Sequence, residues 1–584
     1  MVYYSQEAQN IMYLQKSYNK KTGRTHLSIV HKYRDKDDPK KIRSKTVKSI
    51  GYADQFEDIY ENPIAHFTQV AKEMDAERLK DAADYVLTIP KNEKLASGTD
   101  TLQNFGYAAL SKIYHELDID LFINNHQRDN NAEYNANTIM KMLVYSRILY
   151  PGSKKNSYEN RNRFFENTDY SLDDVYRCLT FLDKEKEELK KWLNDRVKRK
   201  YGRDTSLVYY DVTNYYFESD DFDGFKMKGV SKEHRPNPIV QMGLFMDNKG
   251  LPVTYKLFPG NTNDCLTFRP NLKQIKADFG LGRVITVADK AMCTGDNIWY
   301  TLTTPSHDGY VFSMSVRGAT EEIKEYVLDQ KGYISKGEDF KFKSRLEPRE
   351  IQVSMSSGKK VKKTVDEKQV VFYSEKYARR AREARRRAVE KANDLIAHPG
   401  KYKSSNSHGA SKYVEKLAYD KKTGEILEND SLLNLNEDLI KEEEKYDGYY
   451  LLVTSEMDKT DGEIIDMYRG LWKIEESFKL TKSELEARPV YLSTEEHIQA
   501  HFLTCFVSLL ILRIIEMKLE RRHDPVKIVE SLRSCTCALA AQNIYLFHYF
   551  DDVLKDIGQL MDIDFSTKAL SLKEIKKNLG STKK

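Results

Sequence analysis

An acidic residue on the apolar face of a predicted helix constrains this chain more than any other feature. Residues 467–482 have helical periodicity, and one face carries Tyr468, Leu471, Trp472, Glu475, Phe478, Lys479 and Lys482. We expect this face to pack on the core and the neighbouring Glu476 to lie nearer solvent. A buried carboxylate is costly unless a bound cation or Lys479, one turn later, pairs with it. From the helix alone, the Glu475–Lys479 pair is the simpler interpretation.

Two predicted β-strands also carry acidic residues. Leu207–Thr213 is a β-branched and aromatic run that contains Asp211, and the apolar run Val284–Ala288 is followed directly by Asp289. Strands are depleted in Asp, so these positions are unusual. Three carboxylates on such elements suit hard cations bound through oxygen. Carboxylates that hold two metal ions are the usual apparatus for cutting or joining phosphodiesters.

The three acids resemble a known catalytic set. Asp211, Asp289 and Glu475 are similar to the Asp-Asp-Glu (DDE) triad of bacterial insertion-sequence transposases with an RNase H-like core. This resemblance implies that all three carboxylates are catalytic and bind two Mg²⁺ or Mn²⁺ ions. It also implies an α/β fold in which the strand carrying Asp211 lies beside the strand that ends at Asp289.

The helix resembles the signature Tyr-x2-Arg-x3-Glu-x6-Lys (YREK) of one branch of these transposases. Tyr468 and Lys482 fall at its Tyr and Lys positions, whereas Leu471 stands where the signature has Arg. Arg469 lies two residues earlier. The resemblance implies that Tyr468 and Lys482 contact DNA phosphates near the scissile bond, with Arg469 and Lys479 as further DNA-binding candidates.

The interval between Asp289 and Glu475 is longer than a compact RNase H-like domain requires. The resembling branch has a strand-rich insertion here, and we expect a β-rich insertion domain at 317–446. The insertion includes a predicted basic helix whose candidate DNA contacts are Arg379, Arg380 and Arg386. A solvated basic helix without DNA remains the alternative.

Composition limits the remaining choices. The chain has 584 residues, enough for several domains, and a net charge of +5, so only the distribution of charge can indicate a nucleic-acid partner. The first 50 residues hold twelve Lys and Arg against four Asp and Glu. Three strands are predicted between residues 10 and 52. This basic region is a candidate for contact with DNA ends.

We expect six regions in the chain. They are a basic β region (1–60), a helical DNA-binding or packing domain (61–200), the first part of the core (201–316), the insertion (317–446), the second part of the core (447–520) and a helical C-terminal region (521–584). The longest apolar run, Phe502–Leu512, is too short for a membrane span and predicts a buried helix.

The predicted function is transposition, in which DNA is cleaved and strands are joined at the ends of an insertion sequence. The expected partners are double-stranded DNA, with the terminal inverted repeats and the target, and a second copy of the chain as a homodimer on DNA. The expected location is the bacterial cytosol. Two alternatives remain: an RNase H-like nuclease or resolvase that cuts without joining, and a non-catalytic DNA-binding repressor.

Overall fold

The fold contains two compact units, residues 1–94 and 95–584. The computed structural model describes residues 11–20, 22–34, 42–81, 87, 92, 94, 101–128, 133–218, 223–229, 236–355, 357–398, 409–418 and 431–583.

The first unit is an antiparallel sheet with one helix. Strands β1 (Ile11–Asn19), β2 (Arg24–Arg34) and β3 (Ile42–Tyr52) lie in that order, as predicted. Helix α1 (Pro63–Asp81) packs along β1, where the Met12 amide donates to Asp75 Oδ1 at 3.0 Å. The unit therefore extends past the boundary expected at residue 60, because α1 belongs with the sheet.

The second unit alternates strands and helices. Its described strands are β4 (Leu102–Asn104), β5 (Leu207–Tyr216), β6 (Ile239–Asp247), β7 (Pro252–Pro259), β8 (Ile285–Ala288), β9 (Gly309–Met314), β10 (Ile334–Ser335), β11 (Phe340–Leu346), β12 (Arg349–Ser354), β13 (Lys360–Val365), β14 (Lys368–Ser374), β15 (Val414–Ala418), β16 (Ser431–Leu435), β17 (Tyr449–Thr454), β18 (Thr536–Ala541), β19 (Ile544–Phe547) and β20 (Ala569–Ser571).

Its described α-helices are α2 (Tyr107–Glu116), α3 (Ile119–Gln127), α4 (Ala136–Leu149), α5 (Lys154–Glu159), α6 (Leu172–Tyr201), α7 (Asp264–Phe279), α8 (Gly295–Leu302), α9 (Glu321–Leu328), α10 (Glu375–Ala397), α11 (Glu437–Glu444), α12 (Asp461–Arg469), α13 (Trp472–Ser483), α14 (Glu495–Lys518), α15 (Pro525–Ser534), α16 (Asp552–Met561) and α17 (Leu572–Ser581).

A nine-stranded mixed sheet organises this unit, in the order β10-β11-β14-β17-β9-β8-β5-β6-β7. Alternate residues of a strand point to opposite faces, so β5 supplies two cores. Tyr209 and Tyr215 pack with the helical layer that includes α14, whereas Val208 and Tyr210 pack on the other face with α7 and α8. The sheet is therefore covered on both faces.

Helix α14 is the central helix of the first layer. It is long and apolar enough to cross a membrane by length and composition, yet 94% of its most apolar window is buried inside the protein. It packs against α4, α6 and β7. The predicted buried helix at 502–512 is thus confirmed, and it is longer than the apolar run alone indicates.

Two regions differ in their secondary structure from the expectation. Segment 317–446 contains several strands, but three of them, β10, β11 and β14, extend the edge of the main sheet. The C-terminal region is not wholly helical, because β18, β19 and β20 form a four-stranded sheet with β4. Strand β18 is short and half alanine, a helix-forming residue, so pairing with the distant β4 overrides its local preference.

Candidate active site

Two neighbouring parallel strands position Asp211 and Asp289. Strand β5 pairs with β8 in parallel, with Tyr210 opposite Ala288, so the two acids follow at adjacent positions. Asp211 Oδ1 accepts the Val212 amide at 2.7 Å, and the Asp289 side chain accepts the Ala291 amide at 2.9 Å. Both side chains are half-buried. The predicted adjacency of the two acid-bearing strands is confirmed.

The helix predicted over 467–482 is two helices, α12 and α13, which meet at Gly470 and Leu471. A Cβ on Gly470 would lie 2.0 Å from Tyr209 Oη, so the glycine lets the junction approach β5 closely. This contact brings the start of α13, and with it Glu475, to the sheet that carries the two aspartates.

The predicted buried face of this helix is partly wrong. Trp472 is 46% exposed, and Glu475 and Lys479 are also exposed. Because α13 restarts after the junction, its buried positions are instead Leu471, Ile474, Ser477, Phe478, Leu480 and Thr481. Within the described residues, Glu475 and Lys479 form no ion pair, so the simpler explanation of the acid is wrong.

Glu476 also differs from the expectation. Its carboxylate is partly buried and lies 3.3 Å from Nη1 of the buried Arg513 on α14. Arg513 also pairs with Glu516 at 2.7 Å and donates to Ser477 Oγ at 2.9 Å. Glu476 therefore belongs to a structural network, whereas Glu475 stands on the accessible side of the helix.

The electrostatics connect Glu475 to Asp289. Partial burial raises the pKa of Glu475, and the negative charge of Asp289 raises it further. Burial likewise raises the pKa of Tyr468, and Asp289 and Glu475 both add to that shift. Tyr468, Asp289 and Glu475 thus share one negatively charged neighbourhood, which a bound cation would relieve.

The donor set fits a hard cation, because it consists of carboxylate oxygens without a clustered thiolate or imidazole. Among the residues that the structure describes, no three Asp, Glu, His or Cys side chains are close enough together to hold a metal ion. Asp211, Asp289 and Glu475 are therefore neighbours without forming a closed ligand cluster.

Tyr450 and Ser313 are neighbours of this site that the sequence analysis missed. The Tyr468 hydroxyl lies near Ser313 on β9 and Tyr450 on β17. Tyr450 stacks on Phe372, with ring centroids 5.3 Å apart. Both come from strands that meet only in the folded sheet, and no local motif distinguishes them.

The candidate DNA-binding residues of α12 and α13 have different surroundings. The Arg469 guanidinium lies 4.8 Å from the Phe340 ring centroid, and the Lys482 ammonium lies 5.6 Å from that of Tyr215. Leu471, at the Arg position of the signature, is only 5% exposed. It packs in the core, so it does not present a charged side chain at the surface as an arginine would.

The predicted basic helix is α10, and its arginines are not equivalent. Arg379 and Arg380 are exposed, and Arg380 lies near enough to Tyr450 to lower its pKa. Arg386 instead pairs with Glu383 at 2.7 Å and Glu390 at 2.5 Å. Of the three arginines, Arg386 therefore has the most compensated charge.

Two known protein families match parts of the chain. Residues 14–84 match the N-terminal domain of IS1634 family transposases, and residues 204–511 match the transposase DDE domain. The chain belongs to the DDE transposases. The matched DDE domain covers more than half of the chain and contains Asp211, Asp289 and Glu475.

No curated protein matches this transposase. Among solved structures, it is similar to the piggyBac transposase synaptic complex with hairpin DNA, at 8% identity and a TM-score of 0.30, over 85% of this chain and 79% of that one. It is also similar to two Mos1 transposase paired-end complexes. The first, with the left transposon end, has 14% identity and a TM-score of 0.11, and covers 40% of this chain and 62% of that one. The second, with Mn, has 13% identity and a TM-score of 0.13, and covers 41% and 66%.

The family establishes the general activity. The DDE transposase is an insertion-sequence enzyme that cleaves DNA and transfers strands, and DDE domains depend on divalent metal ions.

Proposed function

We propose that this transposase cleaves and joins DNA at the terminal inverted repeats of its insertion sequence, with Asp211, Asp289 and Glu475 as the catalytic carboxylates of an RNase H-like core. The parallel pairing of β5 with β8 carries the proposal, because it puts the two aspartates side by side. Asp289 raises the pKa of Glu475, and this proximity supports Glu475 as the third carboxylate.

The three carboxylates would hold two Mg²⁺ or Mn²⁺ ions, which supply charge stabilisation for the attacking and leaving oxygens of a phosphoryl transfer. Asp211 accepts the amide of the next residue of β5, and Asp289 accepts the amide two residues further along the chain, and these contacts orient the two carboxylates. Glu475 is exposed and has no basic partner within the described part of the chain, so it can approach the aspartates when their mutual repulsion is relieved.

Other residues would orient the DNA. Tyr468 lies beside the acids and would position the phosphate next to the scissile bond. Lys479, Lys482 and Arg469 would contact phosphates along the same surface, joined by Arg379 and Arg380 of α10. Arg386 is a weaker contributor, because Glu383 and Glu390 already pair with it. Segment 317–446 would act as the insertion typical of the YREK branch.

Transposition requires two element ends at once, so we propose a homodimer on DNA in the bacterial cytosol. The N-terminal unit, with its excess of Lys and Arg in the first 50 residues, would contribute to recognition of the ends. The alternative is a nuclease or resolvase with the same core and the same site, which cuts DNA without joining strands.

The test uses purified protein, a duplex that carries one terminal inverted repeat, and a supercoiled target plasmid in Mg²⁺. The proposal predicts cleavage at the repeat and covalent insertion of its 3′ end into the plasmid, both abolished by Asp211→Asn. Cleavage without insertion would support a nuclease, and binding without cleavage would support a repressor.

A further inference from the structure

A small cationic cavity lies outside the candidate active site. It is lined in part by Arg147 at the end of α4, Lys154 at the start of α5 and His501 on α14. All three side chains are buried, and Lys154 is only 4% exposed. Burial of so much potential positive charge in one place requires an explanation.

Among the residues that the structure describes, no carboxylate pairs with Arg147 or Lys154 of this cavity. Arg147 donates to the carbonyl oxygens of Leu485 and Glu486, each at 3.1 Å, and its buried Nε has no hydrogen-bond partner. Within the described part of the chain, no carboxylate forms an ion pair with Lys154. Glu486 lines the cavity, but its side chain is exposed.

Lys154 therefore has an unusual environment. Burial, together with the charge of the nearby Arg147, lowers its pKa to about 7. Burial and the charges of Lys154 and Arg147 also lower the pKa of His501, whose Nε2 lies 3.1 Å from the Ala487 carbonyl oxygen. An anion in the cavity would restore the charge of Lys154 and offset this mutual repulsion.

The size of the cavity restricts the anion. Its volume is about 30 Å³, which is enough for an oxygen atom the size of a water molecule. The exposed Tyr491 lies at its margin. A DNA backbone can present one phosphate oxygen to such a space from the surface.

Two cationic side chains lie near the end of β5. The Lys482 ammonium lies 5.6 Å from the Tyr215 ring centroid, and the Arg488 guanidinium lies 5.5 Å from that of Tyr216, which points to the opposite face of the sheet. The Val490 amide then donates to the Tyr216 carbonyl oxygen at 3.1 Å. This contact places the 485–492 segment, which forms part of the cavity wall, beside the end of β5.

We propose that the Arg147–Lys154–His501 cavity binds a backbone phosphate of the DNA end, several base pairs from the scissile bond. The inference rests on the proposed function. Six residues of extended β5 separate Asp211 from Phe217, a span of about 20 Å at about 3.3 Å per residue. For a duplex that runs in the direction of β5, this span corresponds to about six base pairs at about 3.4 Å each, and this sets the expected position of the bound phosphate.

The first test measures binding of a terminal-repeat duplex as a function of salt concentration. Lys154→Met removes one phosphate contact, so we expect a salt slope smaller by about one and an affinity about tenfold lower at low salt. The control is Lys190→Met. Lys190 is similarly buried, but it pairs with Glu187 at 2.8 Å, so its replacement leaves the salt slope unchanged. An unchanged slope in Lys154→Met would overturn the inference.

The second test first uses the wild-type protein, so its main result does not depend on the folding of a variant. A scan of single methylphosphonate linkages along the duplex is expected to weaken binding of the wild-type protein at about six base pairs from the cut, in addition to positions beside the cut. Lys154→Met should lose only the distant sensitivity. A scan that is sensitive only beside the cut would refute the proposed contact.

Inorganic phosphate distinguishes a free anion from DNA. Phosphate could raise the melting temperature of the wild-type protein but not of Lys154→Met, while the two proteins have the same salt slope for DNA binding. This result would mean that the cavity binds a free ion, and it would overturn the DNA assignment. If the wild-type protein does not bind the repeat, the proposed function itself fails and this inference fails with it. If the wild-type protein binds the repeat and Lys154→Met binds it equally well, only the proposed contact at the cavity is rejected.

Discussion

Replacement of Gly470 by alanine tests how the helix junction positions Glu475. The added Cβ would lie 2.0 Å from Tyr209 Oη, whereas ordinary contacts begin at 3.4 Å. The junction or the tyrosine therefore has to move by more than an ångström. Overpacking of this kind costs about 1–3 kcal/mol, and a displacement of about 1 Å at a catalytic group can lower the rate about 100-fold.

Gly462→Ala is the matched control on the preceding helix, α12. A Cβ at Gly462 meets no atom within 4 Å, and alanine favours a helix over glycine by up to about 1 kcal/mol. The melting temperature and the cleavage rate on a terminal-repeat duplex should both fall for Gly470→Ala. For Gly462→Ala, both should stay unchanged or rise. Equal stability and activity in the two variants would refute the close approach of the junction to β5.

Three further predictions concern acids near the site. Glu475→Gln should lower the rate of single-turnover cleavage at least about 1,000-fold, or about 4 kcal/mol in activation free energy. Glu476→Gln should lower the same rate only a few-fold, because Glu516 still pairs with Arg513. Glu516→Gln leaves the buried Arg513 poorly compensated and should destabilise the fold by about 3 kcal/mol, measured by denaturant unfolding. Because the pKa of Glu475 is raised on folding, its protonation stabilises the protein at low pH, and this contribution is lost as pH rises through the folded pKa. Glu475→Gln should therefore be at least as stable as the wild-type protein at pH 7, and a lower melting temperature there would contradict the shift.

Much of the sheet follows from local sequence pattern. The β-branched run at 207–213 predicted β5, and the apolar run at 284–288 predicted β8. The family resemblance also predicted that β5 and β8 are neighbours. These features depend on short-range periodicity or on a known topology, so the sequence contains enough information for them.

The details of the third carboxylate required the structure. Helical periodicity treats 467–482 as one helix, but the junction at Gly470 depends on Tyr209, which lies far away in the sequence. The pairing of Glu476 with Arg513 is equally long-range. The exposure of Glu475 follows from both contacts, so a projection of one isolated helix placed it on the wrong face.

The nearby aromatic and serine residues show the same limit. Tyr450 comes from a strand that pairs with β9 and β14, which lie far from it in the chain. Its proximity to Glu475 is visible only once these strands are assembled. The sheet between β4 and β18 likewise joins segments from opposite ends of the unit.

The central claim is that Asp211, Asp289 and Glu475 bind the catalytic metal ions. Metal rescue of cysteine variants tests it most directly, because a thiolate is a poor ligand for Mg²⁺ and a better one for the softer Mn²⁺. Cleavage of the terminal-repeat duplex by Asp211→Cys and Asp289→Cys should be lost in Mg²⁺ and partly restored in Mn²⁺. Wild-type rates for both variants in Mg²⁺ alone would contradict metal ligation by these carboxylates.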